Sequence, residues 1–323
     1  MVFGTGPSAL ALMRALRADG LPVRMLNRSG HVPFDKDMQT QVGGIDAANP
    51  SHAREACEGA AAVYHCAGLP YARWDHLPAI AEGIIEGAAS ANAPLIYADN
   101  LYMYGPVGAA MHEDLPDAAA TRKGRIRARI AQRLLDAHRS GKLRVAIARS
   151  SDFFGPNAGA NALMGERVFA RALAGKSAQL IGNPDRLHSY TYLADFAQAM
   201  KTMALREEAH GHVWHVPSAP AVTTREFVSL VYAALKKKPG MSVAPRFMLK
   251  LIGRFNPVVG ELLEMLYQFE QDFVLDSSRF ETAFGMTPTP LERAIGETLE
   301  WFRRAPARGP DMSRRLWSSR RRA

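Results

Sequence analysis

The chain has 323 residues, 47% hydrophobic and 22% charged, which is ordinary for a globular protein and enough for one large or two smaller cores. It has no apolar run long enough to span a membrane, no evident signal peptide and two cysteines without metal-ligand spacing, so we expect a cytoplasmic protein with no membrane partner. Residues 303–323 hold eight arginines and one acid, which leaves only +2 of the net +9 for the rest. We therefore expect a disordered basic tail and no nucleic-acid partner.

Strand-like and helix-like segments alternate in the first half of the chain. Apolar residues at positions 9, 12, 13 and 16 have helical spacing, and 80–91 and 126–138 read as further helices. Strands are predicted at Met1–Phe3, Val23–Leu26, Ala61–Tyr64, Leu95–Tyr97 and Leu143–Ala148. The alternation predicts an α/β fold, a Rossmann-type doubly wound parallel sheet over residues 1–155. Because only three residues precede Gly4, the first strand is frayed or the start assigned to the chain lies downstream of the true one.

Helices dominate after residue 155. Thr223 and Glu226 form a capping-box pattern, and Pro290 opens a last amphipathic helix. We predict a smaller, mostly helical C-terminal substrate domain over 156–302, with a return segment near 186–216 that rejoins the first domain. Three histidines, at 210, 212 and 215, suggest a metal site, but His212–Val216 reads better as a strand, so we predict no metal.

A dinucleotide site is predicted where the first strand meets the first helix. Gly4 permits a tight turn, Gly6 lets a phosphate approach the free N–H groups of the helix, and Ala9 is small enough for helix–strand packing. The whole segment Gly4–Ala9 therefore forms the candidate phosphate loop, which also contains Thr5, Pro7 and Ser8.

The end of the second strand favours NADP over NAD. An NAD site places a carboxylate there for the ribose hydroxyls, whereas this chain has Asn27, Arg28 and Ser29. Arg28 can pair with a 2′-phosphate or stack on adenine, and Ser29 can donate a hydrogen bond. A solvated arginine in a loop is the alternative.

These motifs resemble the extended short-chain dehydrogenase/reductases, the NAD(P)-dependent epimerase/dehydratase family, from Met1 to about Phe302. Asp46 is similar to the family's aspartate near adenine, and Cys66 and Ala67 to its fourth-strand end beside the cofactor. Ala148–Pro156, which contains Ser151, resembles the stretch that flanks the nicotinamide. Tyr104-Gly105 is similar to the family's Tyr-Gly, and His188 stands where the family usually has arginine. The resemblance implies a homodimer.

The chain departs from this family at its catalytic centre. Asn100 replaces the usual Ser or Thr, and no tyrosine lies between Gly105 and Arg149 to form the Tyr-x-x-x-Lys pair. Alignment on the helix places Lys123 near the tyrosine position and Arg127 near the lysine position. Lys123 could titrate as an acid or base and Arg127 could stabilise an alkoxide, with Tyr102 as an alternative proton donor. If 95–104 stays extended, Tyr102 and Tyr104 lie on one face.

The substrate pocket and the reaction stay open at this stage. Tyr71, Trp74, Tyr104 and His188 are candidate substrate residues, although simple packing explains Tyr71 and Trp74 equally well. Six cations without an acid, between 122 and 133, indicate either an anion-binding site or a charged surface. We expect an NADP(H)-dependent oxidoreductase or epimerase/dehydratase-like enzyme for a small substrate, with an anionic one among the possibilities. The alternatives are an inactive NADP(H) sensor or scaffold and a sugar-nucleotide epimerase.

Overall fold

A seven-stranded, wholly parallel sheet forms the centre of the protein, as seen in a computed structural model that describes residues 1–31, 41–159 and 162–304. Its order is β11-β6-β5-β4-β1-β2-β3. The strands are β1 (Val2–Phe3), β2 (Arg24–Asn27), β3 (Gln41–Gly44), β4 (Val63–His65), β5 (Leu95–Asp99), β6 (Val145–Arg149), β7 (Asp152–Phe154), β8 (Ala178–Ile181), β9 (Leu187–His188), β10 (Tyr190–Tyr192), β11 (Val213–His215), β12 (Val222–Thr223) and β13 (Met241–Ala244). The strand order reverses at β1 and β4, which opens a crevice at their carboxyl ends. The predicted α/β doubly wound fold is confirmed.

Helices cover both faces of this sheet. They are α1 (Pro7–Ala18), α2 (Pro50–Cys57), α3 (Leu77–Ser90), α4 (Arg122–Arg139), α5 (Phe169–Leu173), α6 (Leu193–Leu205), α7 (Thr224–Ala234), α8 (Arg246–Gly253), α9 (Pro257–Leu263), α10 (Ser278–Phe284) and α11 (Leu291–Arg304). One core lies between the sheet and α2, α3 and α4, and a second lies between the sheet, α1 and α6. All four apolar positions predicted to face the core from α1 are buried.

The chain after β7 both returns to the sheet and builds a second region. β11 pairs in parallel with β6, which confirms that His212–Val216 contains a strand. A third core forms among β8, α5, α7 and α11, around buried Phe169 and Phe227. The capping box at Thr223 and Glu226 is present at the start of α7. In the described ranges, no helix combines the length and apolarity needed to cross a bilayer.

The extended course considered for 95–104 is not present in the structure. The strand β5 ends at Asp99, and Tyr102–Tyr104 forms a 3-10 turn instead of continuing as a strand. The side chains of Tyr102 and Tyr104 therefore separate, since alternation no longer places them on one face. The predicted tail falls mostly on residues 305–323, outside the described residues.

Candidate active site

The loop between β1 and α1 has the backbone shape that a phosphate-bearing ligand needs. Gly4 has a φ of 110°, and a Cβ at this position would lie 2.6 Å from the carbonyl oxygen of Cys66. A Cβ on Gly6, by contrast, would have no atom within 4 Å. Pro7 occupies the first turn of the twelve-residue α1, and Ala9 is fully buried beneath it. The open backbone at Gly6 and the unpaired N–H groups of the first helical turn fit a pyrophosphate.

A hydrogen-bonded turn follows β2 at the predicted adenosine end. The Asn27 side chain donates to Thr5 Oγ1 at 2.9 Å and accepts from the N–H of Gly30 at 2.7 Å. Ser29 donates to the same Asn27 oxygen at 3.2 Å, while the Arg28 side chain is exposed. The turn ties the end of β2 to the phosphate loop and leaves the Arg28 guanidinium accessible to a ligand.

The other predicted cofactor residues line the carboxyl edge of the sheet. Cys66 follows β4 and lies against Gly4, and its side chain is buried. Ala67 donates its N–H to His65 Nδ1 at 3.3 Å. Asp46 lies just beyond β3, is exposed, and accepts from the N–H of Ala48 at 3.1 Å. These positions share one edge with Gly4, because the carboxyl ends of parallel strands meet there.

A cavity of about 180 Å³ lies beyond the ends of β5 and β6. Its lining residues are Asn100, Leu101, Tyr102, Ser150, Ser151, Asp152, Phe153, Gln268 and Phe273. Three of the predicted site residues are therefore brought together here: Asn100, Tyr102 and Ser151. The hydroxyl oxygen of Ser151 is buried and has no hydrogen-bond partner among the described residues.

Tyr102, which lines this cavity, shares a hydrogen bond with Tyr71. Tyr71 Oη and Tyr102 Oη are 2.8 Å apart, and the Tyr102 ring stacks on Trp74 with centroids 5.9 Å apart. Burial raises the pKa of Tyr71 to about 12 and holds the pKa of Tyr102 well above its usual value. The Tyr102 backbone N–H donates to Asn100 Oδ1 at 3.0 Å, which leaves the Asn100 amide nitrogen free to serve as a donor. Both phenols remain protonated at neutral pH.

Lys123 lies at the start of α4 but is engaged in ion pairs. Its Nζ is 2.5 Å from Glu261 Oε2, also binds Glu264, and lies 5.0 Å from the ring centroid of Tyr71. The Lys123 side chain is fully buried. Because two carboxylates engage its Nζ, Lys123 is not directed at the cavity as the predicted acid–base role requires.

Arg127 lies one helical turn further along α4. Its Nη1 donates to Tyr97 Oη at 2.5 Å and is 3.5 Å from Asp99 Oδ1, and its guanidinium stacks 4.6 Å from the Trp74 ring centroid. Arg149 binds the other Asp99 oxygen at 3.3 Å. Arg127 is thus buried behind the tyrosine pair and positions Trp74.

The cation run of α4 is neutralised by acids from distant parts of the chain. Arg122 pairs with Asp75 at 2.9 Å and with Glu261 at 2.8 Å, and Arg133 pairs with Glu82 at 2.6 Å. Together with Lys123 and Arg127, four of the six cations have partners in the folded chain. These pairs favour a structural role for the run over an anion-binding site.

The predicted substrate residues fall in three places. Tyr71 and Trp74 pack around Tyr102. Tyr104 turns away and shares a 2.8 Å hydrogen bond with His215 Nε2, whose Nδ1 donates to the Asp276 carbonyl. His188 lies behind the cavity wall, with Nε2 2.9 Å from Asp152 Oδ2.

Several residues of this site were not predicted from the sequence. One of them, Asp152, lies inside the stretch that resembles the family's nicotinamide segment, so its place at the cavity could have been predicted. The others had no usable signal. Gln268 and Phe273 reach the cavity from more than 160 residues beyond Tyr102, and Glu261 and Glu264 reach Lys123 from a similar distance. No local pattern marks such contacts, because they depend on how the second region packs on the sheet.

Comparison with known proteins defines the class of this fold. The sequence profile of the NAD dependent epimerase/dehydratase family matches residues 4–216. The chain therefore belongs to that family, and the predicted resemblance is confirmed. Membership supports a nicotinamide dinucleotide as cofactor, and the phosphate loop described above fits one. No curated protein sequence matches the chain.

Solved structures share the fold at low identity. A dTDP-glucose 4,6-dehydratase from Bacillus anthracis in complex with NAD is 14% identical, with a TM-score of 0.77 over 94% of this chain and 95% of that one. A UDP-glucose 4-epimerase from Thermus thermophilus in complex with NAD is 19% identical, with a TM-score of 0.76 over 94% and 99%. A UDP-N-acetylglucosamine 4-epimerase from Bacillus cereus is 17% identical, with a TM-score of 0.75 over 96% of each chain.

Proposed function

We propose that this protein is an NADP(H)-dependent oxidoreductase that reduces a carbonyl group, with Tyr102 as its proton donor. The contact between Tyr71 and Tyr102 carries the proposal: two hydroxyls 2.8 Å apart, one of them on the cavity wall beside Asn100. This pair supplies a proton carrier in a chain that lacks the tyrosine of the family's usual centre.

The chemistry follows from the protonation of these groups. A bound nicotinamide dinucleotide supplies the hydride. Tyr102, whose pKa burial raises, stays protonated at neutral pH and can give its proton to an oxygen that becomes an alkoxide. Tyr71 can donate to the phenolate left on Tyr102, and the Asn100 amide can orient the substrate oxygen. Because a buried tyrosinate is costly, oxidation of an alcohol, which needs a base, is disfavoured.

The cavity favours an uncharged reacting end on the substrate. Its described lining offers hydroxyls, amides and the Asp152 carboxylate but no cation. Four of the six cations that suggested an anionic substrate are paired elsewhere, and none of the six lines the cavity. The fold is shared with enzymes named for UDP- and dTDP-sugars, so sugar nucleotides belong in the substrate panel together with small aldehydes and ketones.

Exchange of two side chains tests the role of Tyr102. Tyr102→Phe should lower kcat for NADPH oxidation by about 10²–10⁴-fold while NADPH affinity is kept, because only the proton donor is lost. Lys123→Met should leave kcat per folded molecule within about threefold of wild type, if Lys123 is structural. Wild-type rates in Tyr102→Phe, or a collapse of kcat in Lys123→Met alone, would reject the proposed role.

The preference for NADP is tested at Arg28. The exposed guanidinium after β2 and the absence of a carboxylate at Asn27 support it, whereas two of the three solved structures above were determined with NAD. Arg28→Ala should weaken NADPH binding about tenfold and leave NADH binding unchanged. Equal losses for both nucleotides would show that Arg28 does not recognise a 2′-phosphate.

A binding protein without turnover is the second candidate. It is favoured by the burial of Lys123 between two carboxylates, which leaves α4 without a titratable residue facing the cavity. It predicts that NADPH fluorescence changes on binding while no member of the panel, sugar nucleotides included, is converted. Turnover of any panel member excludes it.

A further inference from the structure

Helix α8 carries an apolar surface that faces solvent. Phe247 and Leu251 lie one turn apart on α8, and Phe255 follows in the turn just after the helix; 71%, 61% and 79% of their surfaces are exposed. Met248, also on α8, is 39% exposed. Single exposed apolar side chains are ordinary, but four within nine residues are not. We call these four residues the α8 apolar face.

The opposite side of α8 packs against the protein core. The outer apolar side chains are therefore not exposed because the helix is loosely packed. Leu249 is buried in a cluster with Leu266 and Phe269. Gly253 lets the helix approach α9 closely, since a Cβ there would lie 3.2 Å from Gly260 Cα. The helix therefore has two apolar sides, of which one packs inward and the other does not.

Cations lie along one border of the α8 apolar face. Arg246, Lys250 and Arg254 are exposed, and at 100° per residue they follow one another on the side next to Phe247. Arg246 also contacts Glu270 at 3.0 Å. An apolar stripe of Phe and Leu bordered by Lys and Arg is typical of a helix that lies in a membrane interface.

We propose that the α8 apolar face docks this protein onto an anionic membrane surface. The phenylalanines and Leu251 would enter the boundary between headgroups and acyl chains, and the three cations would contact lipid phosphates. Two other occupants of this face are the chain's own basic tail and a second copy of the protein, and charge favours the membrane over both. The basic tail has the same sign as the border, and a second copy would place like cations opposite one another, whereas an anionic bilayer is complementary.

The proposal revises the expectation of no membrane partner without adding a membrane span. α8 has eight residues, too few to cross a bilayer, and its inner side is committed to the protein core. The protein would lie on the membrane rather than in it. The proposal is independent of the reaction at the cavity.

Vesicle sedimentation of the full-length protein tests the docking. Wild type should sediment with vesicles of phosphatidylcholine containing about one third phosphatidylglycerol, and at least about tenfold less with phosphatidylcholine alone. A triple variant with Phe247→Ser, Leu251→Ser and Phe255→Ser should lose at least about tenfold in partitioning. Leu205→Ser, which removes an equally exposed leucine from α6, should bind as wild type does. Equal binding of the triple variant and wild type would show that the tail alone binds lipid, and would overturn the proposal.

A fluorescent label at position 251 gives an independent readout. Both native cysteines, Cys57 and Cys66, are buried, so a Leu251→Cys variant can be labelled selectively with a polarity-sensitive dye. The dye emission should shift to the blue with anionic vesicles, and a dye on Leu205→Cys should not respond. Sedimentation without a shift at 251 would contradict insertion. A lipid-free dimer that the triple substitution dissociates, with no vesicle binding by wild type, would assign the face to a second copy and reject the membrane.

Discussion

Lys123, which the sequence predicts near the family's tyrosine position, is held by two carboxylates. Its ammonium is buried between Glu261 and Glu264, whose side chains keep 27% and 23% of their surface exposed. The contact joins α4, which covers the sheet, to α9 in the second region. A residue whose sequence position indicates catalysis thus stabilises the packing of two parts of the chain.

Removal of this ammonium should destabilise the protein through the acids it leaves behind. Lys123→Met places two carboxylates beside an apolar side chain, with Arg122 as their remaining cation, and should lower the free energy of unfolding by about 2 kcal/mol. Adding Glu261→Gln and Glu264→Gln should recover most of the loss, because the repulsion disappears. Urea denaturation measures both.

Arg125→Met is the matched control for this prediction. Arg125 lies on the same helix, is exposed and contacts only the carbonyl of Ala120 among the described residues, so its loss should change stability by less than about 0.5 kcal/mol. An equal loss in Arg125→Met and Lys123→Met would mean that positive charge on α4, not the ion pair, sets the stability.

Side-chain roles were predicted less well than side-chain positions. Asn100, Tyr102 and Ser151 were placed near a ligand from their order in the chain, and all three line the cavity. The partners that determine what each side chain can do come from far away in sequence. Tyr71 faces Tyr102 across 31 residues, and Glu264 faces Lys123 across 141. Proton affinity depends on such partners, so chemistry could not be read from the motif alone.

The two glycines of the phosphate loop have different roles: Gly4 is needed for the fold, whereas Gly6 is proposed to make room for the ligand. Gly4 is needed for the fold, since it combines a φ of 110° with a carbonyl 2.6 Å from any added Cβ. Gly6 has an ordinary φ of −76° and open space around it, so the folded chain itself tolerates a methyl group there. A methyl on Gly6 would instead occupy the space where we propose that the dinucleotide phosphate binds.

Alanine at each glycine should therefore give opposite results. Gly4→Ala should lower the free energy of unfolding by about 3 kcal/mol through strain and the clash with Cys66. Gly6→Ala should cost less than about 1 kcal/mol yet weaken NADPH binding at least about tenfold, because its methyl occupies the phosphate approach. Thermal melts and fluorescence titration measure the two effects. Wild-type NADPH affinity in Gly6→Ala would place the cofactor elsewhere.

Elements with strong periodicity were predicted with nearly correct bounds, and elements defined by tertiary contact were not. α1 and the capping box of α7 follow from local spacing and local hydrogen bonds. β5 was predicted to end at Tyr97 or to continue to Tyr104, but it ends at Asp99, where the Asp99 side chain meets Arg149. The end of a buried strand is set by the neighbours that meet it rather than by its own apolar run.

At the scale of the whole molecule, two histidines are buried at the carboxyl edge of the central sheet. His65 ends β4 and His215 ends β11, and both are almost fully buried. His65 Nε2 has no partner within the described parts of the chain, and both ring nitrogens of His215 are already hydrogen-bonded. Burial, aided by Arg127 near His65 and Arg149 near His215, lowers the pKa of each histidine to about 3. Neither ring can easily accept a proton in the folded state.

These lowered pKa values make the stability of the protein depend on pH in a defined direction. In the unfolded chain each histidine takes up a proton near pH 6.5, whereas in the folded chain it stays neutral down to about pH 3. Stability is therefore full above pH 6.5 and falls as the pH is lowered, by up to about 1.4 kcal/mol per pH unit for each histidine. Buried carboxyls with raised pKa values, such as Glu113 and Asp195, act in the opposite direction.

Glutamine substitutions at the two histidines isolate their contribution. Wild type and the substituted proteins share the same buried carboxyls, so a difference in slope between them comes from the histidines. Between pH 6 and about pH 5, His65→Gln should flatten the plot of unfolding free energy against pH by nearly one proton, and His65→Gln with His215→Gln by nearly two. His52→Gln, which changes an exposed histidine, should keep the wild-type slope. Urea denaturation at each pH gives the slopes, and a slope that stays unchanged in the double variant would mean that both rings are protonated in the folded protein.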